Sequence, residues 1–168
     1  KLAAYVVRDP SEVPGVARLG PDPLALDRAA LDAILDEHAR TQLKGLLRNQ
    51  SVIAGIGNAY SDEILHVARL SPFALAGRLD DDGRSRLLTA IGSTLRDAVE
   101  RSTGLPASEL KDDKRAAMRV HGRTGEECPE CGDVVREVSF ADSALQYCAT
   151  CQTGGRPLAD RRLSRLLK

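Results

Sequence analysis

The chain closes on four cysteines with little conformational slack. Cys128-Pro-Glu-Cys131 is followed by sixteen residues and then by Cys148-Ala-Thr-Cys151, and no other cysteine occurs. Each Cys-x-x-Cys puts two thiolates on one tight turn, and the segment between is long enough for a β-hairpin that brings the turns together. Four soft sulfur ligands suit a tetrahedral zinc ion. The alternative is a pair of disulfides; a chain with no further cysteine and no secretory segment argues against it. The spacing therefore predicts one structural Zn²⁺ on Cys128, Cys131, Cys148 and Cys151, with no position left open for catalysis. Small ribbons of this kind present a hairpin to nucleic acid or protein, so the feature points to binding before chemistry.

The 168 residues suffice for one domain and a small appendage. Apolar residues make up 42% but aromatics only 3%, with no Trp, so the core has to come from Leu, Ile, Val and Ala, which favours helices. No stretch approaches the roughly 18 apolar residues of a membrane span, and no charged-then-apolar leader opens the chain; a reducing, cytoplasmic compartment is expected. The first residue is Lys1, and Leu2–Val7 read as a strand already under way, so a natural start further upstream is expected. Net charge is zero but unevenly spread. Residues 128–151 carry one Arg against four acids. Residues 152–168 carry Arg156, Arg161, Arg162, Arg165 and Lys168 against Asp160, a basic tail suited either to phosphate or to a solvated helix end.

Residues 9–26, with Pro10, Pro14, Gly15, Gly20, Pro21 and Pro23, have linker composition. Asp27 caps a predicted helix to about Arg40, with Leu31, Ile34, Leu35 and His38 on one face. A second helical run covers Thr41–Arg48. Gly55-Ile-Gly57-Asn58 forms a compact turn in which Asn58 is the expected N-cap of a helix over 59–68. Asp62 and Glu63 in its first turn would meet the helix dipole. Asp80–Asp82 open another helix, buried through Leu87, Leu88, Ile91, Leu95 and Val99 and stopped at Gly104. Lys111–Arg123 reads as a charged connection.

Lys44-Gly-Leu-Leu-Arg-Asn-Gln50, followed by Val52-Ile-Ala-Gly55-Ile-Gly57-Asn58-Ala-Tyr60-Ser-Asp-Glu63-Ile-Leu65, closely resembles the helix–two-turns–helix motif of formamidopyrimidine-DNA glycosylases and endonuclease VIII-like enzymes. His121-Gly122-Arg123 ahead of the four-cysteine ribbon also matches the family's order. The resemblance implies a mainly α fold: a helix–two-turns–helix domain over 27–123, a zinc-ribbon β-hairpin over 124–152 and a basic tail over 153–168. Residues 1–26 would be the exit strand and linker of an N-terminal β-sandwich domain absent from this chain. A Gly-x-Gly turn lets backbone approach a phosphate without a Cβ in the way, and the following helix offers free N–H groups. The implied DNA-binding residues are Lys44, Gly55, Gly57, Asn58 and Arg123; His121 is expected to be structural. The implied partner is double-stranded DNA with a damaged or abasic nucleotide, bound by a monomer in the bacterial cytoplasm.

The chain also departs from the pattern. The family's chemistry lies in an N-terminal Pro-Glu pair that this chain does not contain, so no catalytic residue is expected here and the chain alone should be inactive. The ribbon arginine that the family places five residues before the third cysteine is Ser143, with Arg136 as a candidate substitute. The segment from Leu110 to His121 is shorter than the lesion-capping region of typical formamidopyrimidine enzymes, so 8-oxoguanine specificity is not carried over. The leading reading is the DNA-binding half of a base-excision-repair glycosylase/abasic-site lyase that removes oxidised bases when joined to its catalytic domain. The alternatives are a naturally truncated, non-catalytic damaged-DNA-binding accessory protein and a structural nucleic-acid- or protein-binding module.

Overall fold

The computed structural model describes residues 4–140 and 143–159. Two short 3-10 turns, Pro10–Glu12 and Pro23–Ala25, punctuate the linker, each capped by an aspartate side chain (Asp9, Asp22). Then come α1 (Arg28–Glu37), α2 (Leu43–Arg48), α3 (Asn58–Val67), α4 (Asp81–Ser102) and α5 (Leu110–Ala117). The hairpin strands β1 (Val135–Ser139) and β2 (Ala144–Cys148) follow, with α6 (Ala149–Thr153) near the end of the described chain.

The helix starts follow from local chemistry. Asp27 accepts from Ala30 N at 2.8 Å and Asp80 from Gly83 N at 2.8 Å, each satisfying an orphan amide of α1 or α4. Leu31 and Leu35 of α1, Leu43, Leu46 and Leu47 of α2, Ile64 and Leu65 of α3 and Leu87 and Ile91 of α4 converge with Ile53 and Ile56 of the α2–α3 turn into one aliphatic core. Each fully buried side chain of this size contributes about 2 kcal/mol. In the ribbon, β1 and β2 pair antiparallel from Val135 opposite Cys148 to Ser139 opposite Ala144. Val138, Leu145 and Tyr147 pack with Phe73, and Val120 and Val135 pack with Cys128 and Cys148.

Four expectations change. Residues 4–7 form no strand; the sheet among the described residues consists of β1 and β2 alone. The charged connection contains α5, which buries no residue; Lys114 Nζ sits 4.9 Å above the Tyr60 ring. The N-cap of α3 is Gly57, in an extended conformation, so Asn58 is the first helical residue. Val99 faces outward at 56% exposure, because α4 outruns the core that its earlier turns cover. Of the basic tail only Arg156 is described; Arg161, Arg162, Arg165 and Lys168 lie outside the described residues. None of the described helices is long and apolar enough to cross a membrane.

Candidate functional site

The four cysteine Sγ atoms all lie within 4.8 Å of one another, with Cys128 to Cys151 at 3.9 Å and Cys131 to Cys148 at 3.4 Å. Thiolates at about 2.3 Å from a tetrahedral zinc stand about 3.8 Å apart, so the cluster has the dimensions the metal requires. All four are free cysteines. Burial pushes the Cys148 thiol up to about 11 and raises Cys151 as well, while a hydrogen bond with the Asp133 backbone lowers Cys131. A divalent cation offsets the burial cost that otherwise keeps Cys148 and Cys151 protonated. The cluster is a structural zinc site with every thiol used. Side chains around it fix its position. His66 Nε2 of α3 lies 3.3 Å from Cys128 Sγ, and Gln152 accepts from Cys148 N at 2.9 Å while donating to Leu70 O at 2.9 Å.

The turn between α2 and α3 is closed by a side chain. Gln50 Oε1 accepts from Gly55 N at 2.8 Å, and its Nε2 donates to Ile56 O at 2.8 Å and Arg48 O at 3.2 Å. Gly55 has φ +80°, where L side chains are strained. Behind the turn, Gly20 N donates to Gln50 O at 2.8 Å, and a Cβ on Gly20 would stand 2.5 Å from Val52 backbone. Gly57 differs: its φ is −96° and a Cβ there would meet nothing within 4 Å, so neither conformation nor internal packing requires glycine. No side chain caps α3, so its first-turn amides have no side-chain acceptor. Asn58 Nδ2 donates to Ala144 O of β2 at 3.0 Å, joining the turn to the hairpin, and its Oδ1 has no partner among the described residues.

Lys44 is not on this surface. It is 6% exposed, and its Nζ donates to Asn58 O at 2.7 Å, Ser61 Oγ at 2.8 Å and Asp62 Oδ1 at 2.7 Å. Burial lowers the Lys44 ammonium from its usual range, and Asp62 opposes that shift. Asp62, fully buried, also binds His121 Nδ1 at 2.8 Å. Glu63, 4% exposed, accepts from the backbone N–H groups of Arg119, Val120 and His121 at 2.7, 3.0 and 2.8 Å. The two acids therefore point inward and tie α3 to the segment leading into the ribbon; they do not serve as exposed charges on the helix dipole. His121 is structural, as expected. Arg123 is largely engaged as well: its guanidinium holds Ala116 O, Met118 O and Glu126, closing the end of α5. Ser143 O accepts from Phe140 N at 2.7 Å in the hairpin turn, while Arg136 is exposed on β1 opposite Tyr147. The structure thus sets Gly55, Gly57 and Asn58 on one turn, joined to the hairpin through Asn58, and holds Lys44 inside it. Gln50, Asp62, Glu63, His66 and Gln152 do not stand out as site residues in the sequence; only their long-range partners reveal their roles.

A helical domain with a glycine-rich, amide-presenting turn, locked against a four-thiolate ribbon, defines the helix–two-turns–helix class of zinc-ribbon proteins. The model of the formamidopyrimidine-DNA glycosylase H2TH domain matches residues 19–108, and that of the zinc finger found in FPG and IleRS matches residues 125–154. The chain belongs to the formamidopyrimidine-DNA glycosylase-like family. A formamidopyrimidine-DNA glycosylase-like protein of Mycobacterium tuberculosis is 57% identical over 154 residues, covering 88% of this chain and 98% of that protein. The formamidopyrimidine-DNA glycosylase of Thermus thermophilus is 38% identical over 161 residues, covering 88% of this chain and 58% of that protein. The crystal structure of MutM (Fpg) from T. thermophilus superposes with TM-score 0.74 at 36% identity, over 89% of this chain and 59% of that one. The Lactococcus lactis Fpg in complex with abasic-site DNA gives TM-score 0.73 at 26% identity, over 85% and 55%. The chain spans about half the length of the matched formamidopyrimidine-DNA glycosylases and nearly all of the M. tuberculosis protein.

Proposed function

We propose that this chain is the DNA-binding half of a base-excision-repair DNA glycosylase/abasic-site lyase, gripping a duplex at a damaged or abasic nucleotide. The observation that carries this reading is the face made by Gly55, Gly57 and Asn58. It presents uncapped α3 amides, a glycine with no internal reason to be one, and a side-chain bond to the hairpin. Amides at a helix start bind phosphate oxygens, and extrusion of a nucleotide needs the flanking phosphates held. In this reading Lys44 acts from beneath the face, fixing the Asn58 carbonyl. Arg123 acts by holding the entry to the ribbon, and the zinc serves structure alone. Removal of oxidised bases would require a catalytic domain bearing the Pro-Glu pair, and the chain would work as a monomer in the cytoplasm.

The test is fluorescence anisotropy of the zinc-loaded chain with two short duplexes at moderate salt, one with a stable abasic analogue and one undamaged. Tighter binding to the abasic duplex is expected. Equal affinity would move lesion sensing to the other domain, and absent binding would refute the reading. A second reading, a non-catalytic damaged-DNA-binding protein working alone, is favoured by the near-complete coverage of the M. tuberculosis relative. Both readings predict lesion preference by the chain; only the first predicts that a supplied catalytic domain adds base excision.

A further inference from the structure

A pocket of about 230 Å³ opens between α2 and the hairpin turn, bordered by Lys44, Gly45, Arg48, Phe73, Phe140 and Ser143. Arg48 is exposed, and among the described residues its guanidinium has no acidic or hydrogen-bond partner. The Arg48 charge reaches Lys44, where it disfavours the charged ammonium. Two cations thus share one corner, and only Lys44 has a carboxylate, Asp62. Gly45 weakens α2 relative to alanine, yet a Cβ there would meet only Thr41 Cγ2 at 3.9 Å, so packing does not require it. The missing Cβ keeps the pocket's rim low beside Arg48. Phe73 and Phe140 stand edge to face with centroids 6.4 Å apart, an apolar wall that strengthens charge interactions beside it.

We propose that Arg48 and this pocket hold a backbone phosphate of the bound DNA strand, a contact additional to the amide face of α3. The inference rests on the DNA-binding reading above. A guanidinium offers a planar fork to two phosphate oxygens, and an unpaired cation next to a second cation is electrostatically completed by an anion. The aromatic pair would cover the sugar edge of the same nucleotide.

The experiment measures duplex affinity of the zinc-loaded chain across salt concentrations for wild type, Arg48→Gln, Arg48→Lys and the double variant Arg48→Gln/Ser143→Arg. Each phosphate contact contributes about 0.9 to the slope of log K against log salt on duplex DNA. Arg48→Gln should lower affinity about tenfold and the slope by about 0.9. Arg48→Lys should keep the slope, and Ser143→Arg, which supplies a cation from the facing wall, should restore it. Wild-type binding with an unchanged slope in Arg48→Gln overturns the Arg48 contact and leaves the DNA-binding reading standing. So does weaker binding with an unchanged slope. No binding by wild type at low salt overturns both.

Discussion

Replacing Glu63 by alanine should loosen the junction between the helical domain and the ribbon. The carboxylate accepts three backbone N–H groups, from Arg119, Val120 and His121, at 2.7–3.0 Å. Val120 is fully buried, while the bonds from Arg119 and His121 are only partly shielded from water. A buried amide left without an acceptor costs roughly 1–3 kcal/mol. Counting the buried Val120 amide at about 2 kcal/mol and the two that water can reach at about 0.5 kcal/mol each gives about 3 kcal/mol, a large part of the ~5–15 kcal/mol that stabilises a domain. For a chain of this size that lowers the melting temperature by roughly 6–12 °C. Glu63→Gln keeps one acceptor oxygen but turns an NH₂ toward an N–H, so a loss of about 1 kcal/mol is expected. Circular-dichroism melts of the three proteins check the order. A side chain serving only the helix dipole would make glutamine and alanine equivalent, both within about 0.5 kcal/mol of wild type. That result would refute the clamp.

Further outcomes follow from the same geometry. Lys44→Ala leaves fully buried Asp62 with the His121 ring but without the ammonium that faces it, and should destabilise by about 3–5 kcal/mol, read in urea melts. Gln50→Ala opens the turn by removing three hydrogen bonds. DNA affinity should drop several-fold while the helix content stays near wild type, measured by anisotropy alongside far-ultraviolet circular dichroism. Asn58→Ala breaks the bond to Ala144 and should weaken DNA binding by about 1–3 kcal/mol in the same assay. With Cys148 raised to about 11 and Cys151 raised too, these two thiols hold their protons at neutral pH without the metal. Zinc uptake should therefore release protons, and apparent zinc affinity should rise with pH and be lost as pH falls, measured by indicator dye in weak buffer.

The ribbon and helices α1 and α4 are legible in the sequence because their signals are local: paired Cys-x-x-Cys turns, Asp27 and Asp80 at helix starts, and aliphatic residues at helical spacing. The Gly55–Asn58 turn is legible for the same reason, although the cap shifts to Gly57. Asp62 and Glu63 mislead because carboxylates close to a helix start resemble dipole partners; with the cap at Gly57 they fall beyond the first turn of α3. What turns them inward is Lys44 on another helix and a backbone stretch more than fifty residues later, which no local pattern encodes. Lys44 is the converse: a lysine beside glycine on a short helix reads as exposed until its three acceptors are seen. α5 is hard to read because it buries no residue and so has little apolar stripe to show.

α3 starts at the uncapped amides of the turn, passes Asp62 and Glu63, and reaches His66 at the thiolates within about 15 Å of helix. The two matched family blocks, 19–108 and 125–154, therefore do not mark a seam along which the molecule can be cut. A chimaera spliced between them would set a foreign ribbon against an α3 whose Asp62, Glu63 and His66 are matched to this one. Successful exchange would have to carry residues 58–66 and 119–121 together with the cysteines, because the transplantable unit is the ribbon with its helix.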